Sequence, residues 1–207
     1  MKLSEFKNNA ELLEYFGLQV IKAPFIDFKT MPELALCPFL EADFAFVLAN
    51  RGDTDMEAYA CEFLISPLLK EAWKRNPKAK LYSHPRIIYE DMILVPDYVV
   101  APKNKTGEDV FGKPLLITVE AKHDDYDLGW SDVYKQLIVA QLMNKNNEIP
   151  IYAIVSIGTG WQIGKLDGKI IYRHPTPLGL DNINKLLGIL DFVFADCVKT
   201  AEKFNMY

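Results

Sequence analysis

A chain of 207 residues, of which half are hydrophobic and a quarter are charged, is long enough for one ordinary domain and can bury a substantial core. This composition excludes a disordered chain, a collagen-like chain and an array of domains. A formal net charge of −5 argues against a protein that coats nucleic acid through a uniformly basic surface, although a local basic patch stays open.

The hydrophobic runs and the cysteines favour a cytoplasmic protein that does not span a membrane. The longest uncharged apolar run, residues 151–164, is shorter than the roughly 18 to 20 residues of a membrane helix, and glycines break it. Glutamates interrupt the start of the chain, which therefore does not resemble a signal peptide. The cysteines are odd in number and far apart, which favours buried thiols over a disulfide framework or a zinc ribbon. They are Cys37, Cys61 and Cys197.

The beginning of the chain predicts a short helix followed by a strand. Leu12, Leu13, Tyr15 and Phe16 suggest the helix, and residues 18–28 have the composition of a strand. The residues of this segment indicate no function.

A long helix is predicted from about Asp53 to Arg75. Asp53 and Thr54 resemble an N-cap, and apolar residues then recur at helical spacing. Pro67 lies inside this pattern, so we expect it to kink the helix or to split it in two.

The middle of the chain predicts three strands, because three segments are rich in β-branched or aromatic residues. These segments are residues 84–89, 92–101 and 115–122. A polar loop that contains glycines, residues 103–113, joins the last two of them.

The last part of the chain predicts two helices with three strands between them. The first helix has apolar residues at i, i+4 and i+7, and the last two strands are joined by Asp167-Gly168, a strong two-residue hairpin turn. The predicted elements are a helix at 129–144, strands at 151–157, 161–166 and 169–174, and a final amphipathic helix at 181–203 that covers the sheet.

Two of the predicted strands carry residues that could act together chemically. Asp97 lies near one strand, and Glu120 and Lys122 lie at the end of the next. Residues two apart in a strand share a face, so Glu120 and Lys122 project together, while Ile117, Val119 and Ala121 pack the other way. A hard cation such as Mg²⁺ needs only one or two carboxylates and keeps several waters. A lysine beside that ion can hold the attacking water and offset the charge of a phosphate, which indicates metal-assisted phosphodiester hydrolysis.

At these residues the sequence resembles the PD-(D/E)XK nuclease superfamily, and restriction-like bacterial members in particular. Pro96-Asp97 stands in the place of its PD, and Glu120-Ala121-Lys122 stands in the place of its E-x-K. The predicted order of helix, three strands, helix and strand is also similar to the core of that family. The resemblance spans about residues 53–172. It implies an α/β, restriction-endonuclease-like fold, with a central mixed β-sheet flanked by α-helices.

Under this resemblance, residues 53–207 form the nuclease-like core and residues 1–52 form an N-terminal segment packed on it. The helical stretch around Glu57 is similar to the first core helix of the family, where a glutamate lies eight residues before an apolar I-x-P-L-L stretch that begins here at Ile65. Glu62 competes with Glu57 for this role, because both cannot face the site from one α-helix. Residues 129–147 resemble the glutamine-bearing helix of the family, which places Gln136 near the lysine.

The resemblance implies a role for each of these residues. Asp97 and Glu120 would bind Mg²⁺, with Mn²⁺ as a substitute, and the carbonyl of Ala121 would complete the ligands. Lys122 would position the water. Glu57 and Gln136 would support the site as further members of the catalytic group. The implied activity is Mg²⁺-dependent hydrolysis of DNA in restriction, defence or repair.

Two other functions stay open at this stage. The chain could be an inactive member of the same scaffold that acts as a binding or assembly module, or it could be a small-molecule phosphoesterase. DNA is the expected partner, no membrane partner is expected, and a homodimer or a separate protein partner stays open.

The charge pattern offers one candidate surface for DNA. Between Lys70 and Arg86 the chain carries six lysines and arginines and a single carboxylate. The basic segment comprises Lys74, Arg75, Lys78 and Lys80. These residues could grip phosphates, or they could be an ordinary solvated face.

The three histidines are scattered without the spacing of a zinc site, and they are His84, His123 and His174. His123 follows Lys122 directly and could therefore lie at the rim of the predicted site.

Overall fold

The structure is a computed structural model that describes residues 5–52, 56–103 and 112–205. These residues form a mixed α/β arrangement in which helices flank a large mixed sheet. The helices are α1 (Asn9–Phe16), α2 (Pro38–Ala49), α3 (Glu57–Ala60), α4 (Ser66–Arg75), α5 (Tyr126–Asn144) and α6 (Ile183–Lys203). The strands are β1 (Gln19–Lys22), β2 (Ala79–Ser83), β3 (Ile87–Tyr89), β4 (Met92–Leu94), β5 (Tyr98–Pro102), β6 (Ile117–Ala121), β7 (Ile151–Ser156), β8 (Gly160–Asp167), β9 (Ile170–Arg173) and β10 (Leu178–Gly179).

The large sheet has the order β1-β9-β8-β7-β6-β5-β2, and β10 pairs with β8 beside this row. Strands β6 and β7 are parallel, as are β1 and β9, whereas the other neighbours in the sheet are antiparallel. Parallel neighbours need a crossover, and α5 supplies the one between β6 and β7. Strands β3 and β4 form a separate hairpin.

The sheet buries a different hydrophobic cluster on each face. Ile117, Val119 and Ala121 belong to the cluster that also contains side chains of α4 and α6. Val99 and Val155 belong to the other cluster, which is covered by α5 and α1. The residues that alternate with the first set, Thr118 and Glu120, therefore point toward α5.

The N-terminal segment takes part in both clusters. Strand β1 pairs with β9, and Leu12 and Leu18 lie in the cluster on the α5 side. Phe44 and Val47 of α2 lie in the opposite cluster. The sequence did not predict α2, because its residues are apolar almost all around the helix and show no 3.6-residue period.

The predicted long helix is present, but it is not a uniform α-helix. Helix α3 passes into a π-helical turn at Cys61–Ile65, which leads directly into α4. The N–H of Ser66 donates to the carbonyl of Cys61, five residues earlier. This wide turn ends beside Pro67, which lies in the first turn of α4. Proline has no backbone N–H, and at this position its absence costs no helical hydrogen bond. The predicted N-cap at Asp53 and Thr54 lies outside the described residues.

Of the three strands predicted in the middle of the chain, the third, at 115–122, is present as β6, whereas the first two are only partly present. Residues 84–89 contain only β3, and residues 92–101 divide into β4 and β5 at the segment that contains Pro96. Strand β2, which was not predicted, occupies the sheet edge beside β5. The predicted strand at 18–28 is limited to β1. Most of the predicted loop at 103–113 lies outside the described residues.

The predictions for the last part of the chain are confirmed with small shifts. Helix α5 begins three residues early because Asp125 caps it, accepting hydrogen bonds from the N–H groups of Asp127 and Leu128. In the β8–β9 hairpin, Asp167 pairs with Ile170, so the two loop residues are Gly168 and Lys169. The turn is one residue later than predicted, and Gly168 adopts a φ of 58° at its first position.

The three cysteines are free thiols. Cys61 and Cys197 are buried, as predicted, whereas Cys37 is exposed. Cys37 lies just before α2, whose buried residues are Phe44 and Val47, and its side chain is not among those that pack into the core of the described residues. Across the described ranges, none of the helices combines the length and the apolar character needed to cross a bilayer.

Candidate active site

The register of β5 and β6 brings the two predicted metal ligands together. Tyr98 pairs with Val119, so Asp97, one residue before Tyr98, lies opposite Glu120. The Oδ2 atom of Asp97 accepts a hydrogen bond of 2.7 Å from the N–H of Ala121, which is 24 residues later in the chain. Asp97 is only 9% exposed and Glu120 is only 7% exposed. Two carboxylates thus lie side by side, largely removed from solvent.

Each oxygen of Glu120 has its own partner. Lys122 Nζ lies 2.5 Å from Oε1, and Gln136 Nε2 donates to Oε2 at 2.6 Å. Thr118 in turn donates to the amide oxygen of Gln136. Burial raises the pKa of Glu120 to about 7, and the charge of Asp97 adds to the increase, while the hydrogen bonds from Lys122 and Gln136 oppose it.

Helix α5 passes close to the sheet and to the stem of Lys122. A Cβ at Gly129 would lie 2.4 Å from Val155 Cγ1 and 3.3 Å from Lys122 Cγ, so only glycine permits this approach of α5. Burial alone would lower the pKa of Lys122, but its hydrogen bond to Glu120 and the adjacent negative charges outweigh burial and raise it. Lys122 is therefore an ammonium at neutral pH.

The structure distinguishes between the two glutamates of the long helix. Burial raises the pKa of Glu57, the charge of Lys122 opposes the increase, and the charges of Asp97 and Asp132 add to it, so Glu57 lies within the electrostatic field of the site. Glu62 is exposed on the π-helical turn. Glu57 is thus the helix carboxylate that the fold brings toward Asp97 and Lys122.

Two further residues at the site were missed from the sequence. Asp132 Oδ2 lies 3.2 Å from Lys122 Nζ, and His84 Nε2 lies 3.4 Å from Asp97 Oδ1. Asp132 is one helical turn before Gln136, a spacing that could have revealed it. His84 has no such signal, because it reaches the site through the pairing of β2 with β5.

His84 is held in place by its backbone and by its neighbour. Its N–H donates to the carbonyl of Asp97 at 2.7 Å, and its ring Nδ1 lies 2.9 Å from Ser83 Oγ. Its φ of 46° is unusual for a residue other than glycine. The ring is half exposed beside Asp97.

The sequence suggested that His123 lies at the rim of the predicted site, and this stays a prediction. His123 is half exposed and lines a groove of about 490 Å³ together with four other described residues. These are Leu48, Arg51, Gly52 and Thr159. Arg51 and His123 give this groove donors that can meet phosphate oxygens.

The basic segment lies away from the acidic site. Strand β2 runs from Ala79, opposite Pro102, to Ser83, opposite Tyr98, so the segment adjoins the end of β5 that is remote from Asp97. Its four residues differ in their surroundings. Lys74 pairs with Glu71 at 3.2 Å, Lys78 pairs with Glu202 at 2.5 Å, Lys80 lies over the ring of Trp73 at 5.5 Å, and Arg75 is exposed.

The donors at the acidic site fit a hard divalent cation. Within residues 5–52, 56–103 and 112–205, no three His, Cys, Asp or Glu side chains form a metal-binding group. The predicted metal ligands are the two carboxylates of Asp97 and Glu120 and the carbonyl of Ala121. Mg²⁺ is commonly held by one or two carboxylates and waters. The register of β5 and β6 places these two carboxylates on opposing residues of neighbouring strands, where they can share a cation.

No protein-family model matches the chain, and no curated protein matches it either. Inferences about function therefore depend on the geometry of this site. What that geometry provides is a buried carboxylate pair, an ammonium in contact with one member of the pair, and an amide that fixes the same carboxylate.

Proposed function

We propose that the chain is a Mg²⁺-dependent nuclease that hydrolyses phosphodiester bonds of DNA, with a restriction-endonuclease-like fold and a PD-(D/E)XK site. One observation carries the proposal: Asp97, Glu120 and Lys122 converge where β5 and β6 cease to pair. Carboxylates for a cation and an ammonium for a phosphate are the groups that such a reaction requires.

The metal ligands would be the carboxylates of Asp97 and Glu120 and the carbonyl of Ala121. Mg²⁺ held there, or Mn²⁺ in its place, would lower the pKa of a bound water and offset the negative charge of the phosphate. Each carboxylate is already oriented by the chain, since Ala121 donates to Asp97 and Gln136 donates to Glu120. Fixed ligands of this kind lose little entropy when a cation binds.

The other side chains would act on the substrate and the water. The Lys122 ammonium would orient the attacking water and stabilise the negative charge that develops on the phosphoryl oxygens. Glu57 lies in the same electrostatic field, where burial raises its pKa and the charge of Lys122 opposes the increase, and it would serve as a proton acceptor beside the water. Arg51 and His123 in the adjacent groove would contact the phosphates that flank the reacting one.

Calorimetry with Mn²⁺ and cleavage of plasmid DNA test this proposal together. The parent protein should bind Mn²⁺ and cut DNA, and Asp97→Ala should lose both properties while it keeps its fold. Asp43→Ala removes an exposed carboxylate of α2 and serves as the matched control. A folded Asp97→Ala protein that binds Mn²⁺ like the parent would overturn the proposal.

A small-molecule phosphoesterase is the second candidate, and the pairing of the basic segment favours it. Lys74 and Lys78 already contact carboxylates, which weakens the one basic surface that the sequence offered for DNA. Metal-dependent release of phosphate from nucleotides, with plasmid DNA left intact, would support this candidate. Metal binding without hydrolysis of either substrate would indicate an inactive scaffold that acts as a binding module.

A further inference from the structure

The ammonium of Lys122 lies between two carboxylates of different depth. Its Nζ atom is 2.5 Å from Glu120 Oε1 and 3.2 Å from Asp132 Oδ2. The Glu120 side chain is 9% exposed, whereas the Asp132 side chain is 39% exposed. Lys122 is therefore in contact with the deep carboxylate and already within reach of the shallow one.

Helix α5 supplies a partner for each member of the Lys122–Glu120 pair: Asp132 contacts Lys122, and Gln136 contacts Glu120. Asp132 and Gln136 are four residues apart and share a face of the helix. Gln136 occupies Oε2 of Glu120, so Oε1 is the oxygen that Lys122 holds. The absence of a side chain at Gly129, on the same helix, leaves room for the Lys122 stem.

A metal ion and Lys122 must compete for Glu120. Both are cations drawn to the same oxygen, so a divalent ion that binds Glu120 repels the ammonium from Oε1. The Lys122 side chain is 13% exposed, and a largely buried ammonium without an acidic partner is costly. Asp132 offers that partner at a distance that needs only a small movement of the lysine.

We propose that Asp132 is a positioning residue that receives the Lys122 ammonium when a divalent cation takes Glu120. The inference rests on the proposed nuclease function, because it assumes a metal ion at Asp97 and Glu120. In the metal-free protein Lys122 occupies a ligand of the metal, and on metal binding Asp132 holds the ammonium beside the site, where it can meet the substrate.

The inference predicts a specific pattern of metal affinities. Asp132→Asn should weaken Mn²⁺ binding about tenfold, the lower end of the cost of removing groups that support metal ligands. Lys122→Met should strengthen Mn²⁺ binding, because the competitor is gone. In the Lys122→Met background, Asp132→Asn should then change the affinity less than about twofold, since no ammonium needs to be placed.

The experiment is a double-mutant cycle on residues 122 and 132, with Mn²⁺ affinity measured by calorimetry. Asp124→Asn is the matched control, because Asp124 is an equally charged, exposed residue near Lys122 whose ion pair is with His123, whereas the ammonium pairs with Glu120 and Asp132. Asp132→Glu keeps the carboxylate and should retain most of the affinity. At saturating Mn²⁺ the cleavage rate of Asp132→Asn should stay below that of the parent, because the Lys122 ammonium has lost the carboxylate that holds it beside the site.

The outcomes separate this inference from the proposed function. If Asp132→Asn weakens Mn²⁺ binding equally in the parent and in the Lys122→Met variant, the effect is a general effect of charge. That result would overturn this inference but not the proposed function. Unchanged affinity in Asp132→Asn would also overturn it, while Asp97→Ala still tests the metal site. A parent protein that binds no Mn²⁺ would overturn both.

Discussion

The acidic site and the basic segment are both rich in charged residues, but the fold treats them in opposite ways. At the site, strand register and α5 bring distant residues together, and one largely buried ammonium contacts two carboxylates. In the basic segment, the Lys74 and Lys78 side chains are themselves largely exposed, and each pairs with a carboxylate. Surface pairs of this kind contribute little, whereas buried charges depend strongly on their partners. A cluster in the sequence is therefore a weaker sign of function than convergence in space.

Removal of the Lys122 ammonium should have the largest effect. Lys122→Met keeps most of the aliphatic stem, so we expect at least about a 100-fold loss of DNA cleavage, a typical cost for a group that stabilises transition-state charge. Metal binding should be retained. Lys70→Met, an exposed lysine of α4, is the control and should cleave like the parent. Plasmid digestion by Lys122→Met at the parental rate would assign Lys122 a purely structural role.

The buried carboxylate should make the stability of the metal-free protein depend on pH. The pKa of Glu120 is raised to about 7, due first to burial, so its stabilising contribution belongs to the protonated form. That contribution is fully present at a pH below the pKa of Glu120 in the unfolded chain, and it is lost as the pH rises through about 7. The free energy of unfolding should fall by up to about 3 kcal/mol over this range. Glu120→Gln should remove this dependence.

Denaturant unfolding between pH 4 and pH 8, roughly the range that spans both pKa values, measures this effect. The parent should lose stability relative to Glu120→Gln as the pH rises. Glu62→Gln, an exposed glutamate nearby in sequence, should follow the parent at every pH. A constant difference between the parent and Glu120→Gln would contradict the raised pKa.

The close approach of α5 to the sheet can be tested at Gly129. Gly129→Ala should destabilise the protein by about 1 to 3 kcal/mol, because the new methyl group collides with Val155 and outweighs the better helix propensity of alanine. Lys135→Ala in the same helix should change the stability by less than about 0.5 kcal/mol. Thermal or urea unfolding of the two variants gives the comparison. A Gly129→Ala protein as stable as the parent would show that α5 can move away without cost.

The smallest effect is expected from the basic segment. If its residues contact DNA, each neutralised phosphate contributes about 0.9 to the slope of log affinity against log salt. Lys74 and Lys78 have carboxylate partners, so changing both to Gln should leave the slope almost unchanged. Changing Arg75 and Lys80 to Gln should flatten it by at most about 1.8.

The two double variants are matched in charge, so their difference reports the effect of the ion pairs. Titration of labelled duplex DNA at several salt concentrations gives the slopes. Equal flattening in both variants would mean that Lys74 and Lys78 leave their carboxylates to contact phosphate. No change in either variant would assign DNA binding to another surface, such as the groove with Arg51 and His123.

Much of the site was predictable because the relevant signals are local. Alternation along β6 was enough to place Glu120 and Lys122 on one face and Ala121 on the other, and the structure agrees. The resemblance predicted that Gln136 lies near the lysine, and in the structure its amide donates a hydrogen bond to Glu120. Asp132 and His84 were missed, because their contacts with Lys122 and Asp97 depend on how α5 and β2 pack rather than on any pattern within one segment.

The sequence by itself determined the elements whose patterns are periodic or bounded by turn residues. These include α1, α5, α6 and the run from β7 to β9. Only the tertiary structure decided that α2 is a helix, that β2 takes the edge of the sheet and that Glu57 rather than Glu62 faces the site. The physical reason is that hydrophobic periodicity reports a local preference of the chain. Strand register, the π-helical turn and the contacts of Lys122 with both Glu120 and Asp132 are instead set by packing between distant segments.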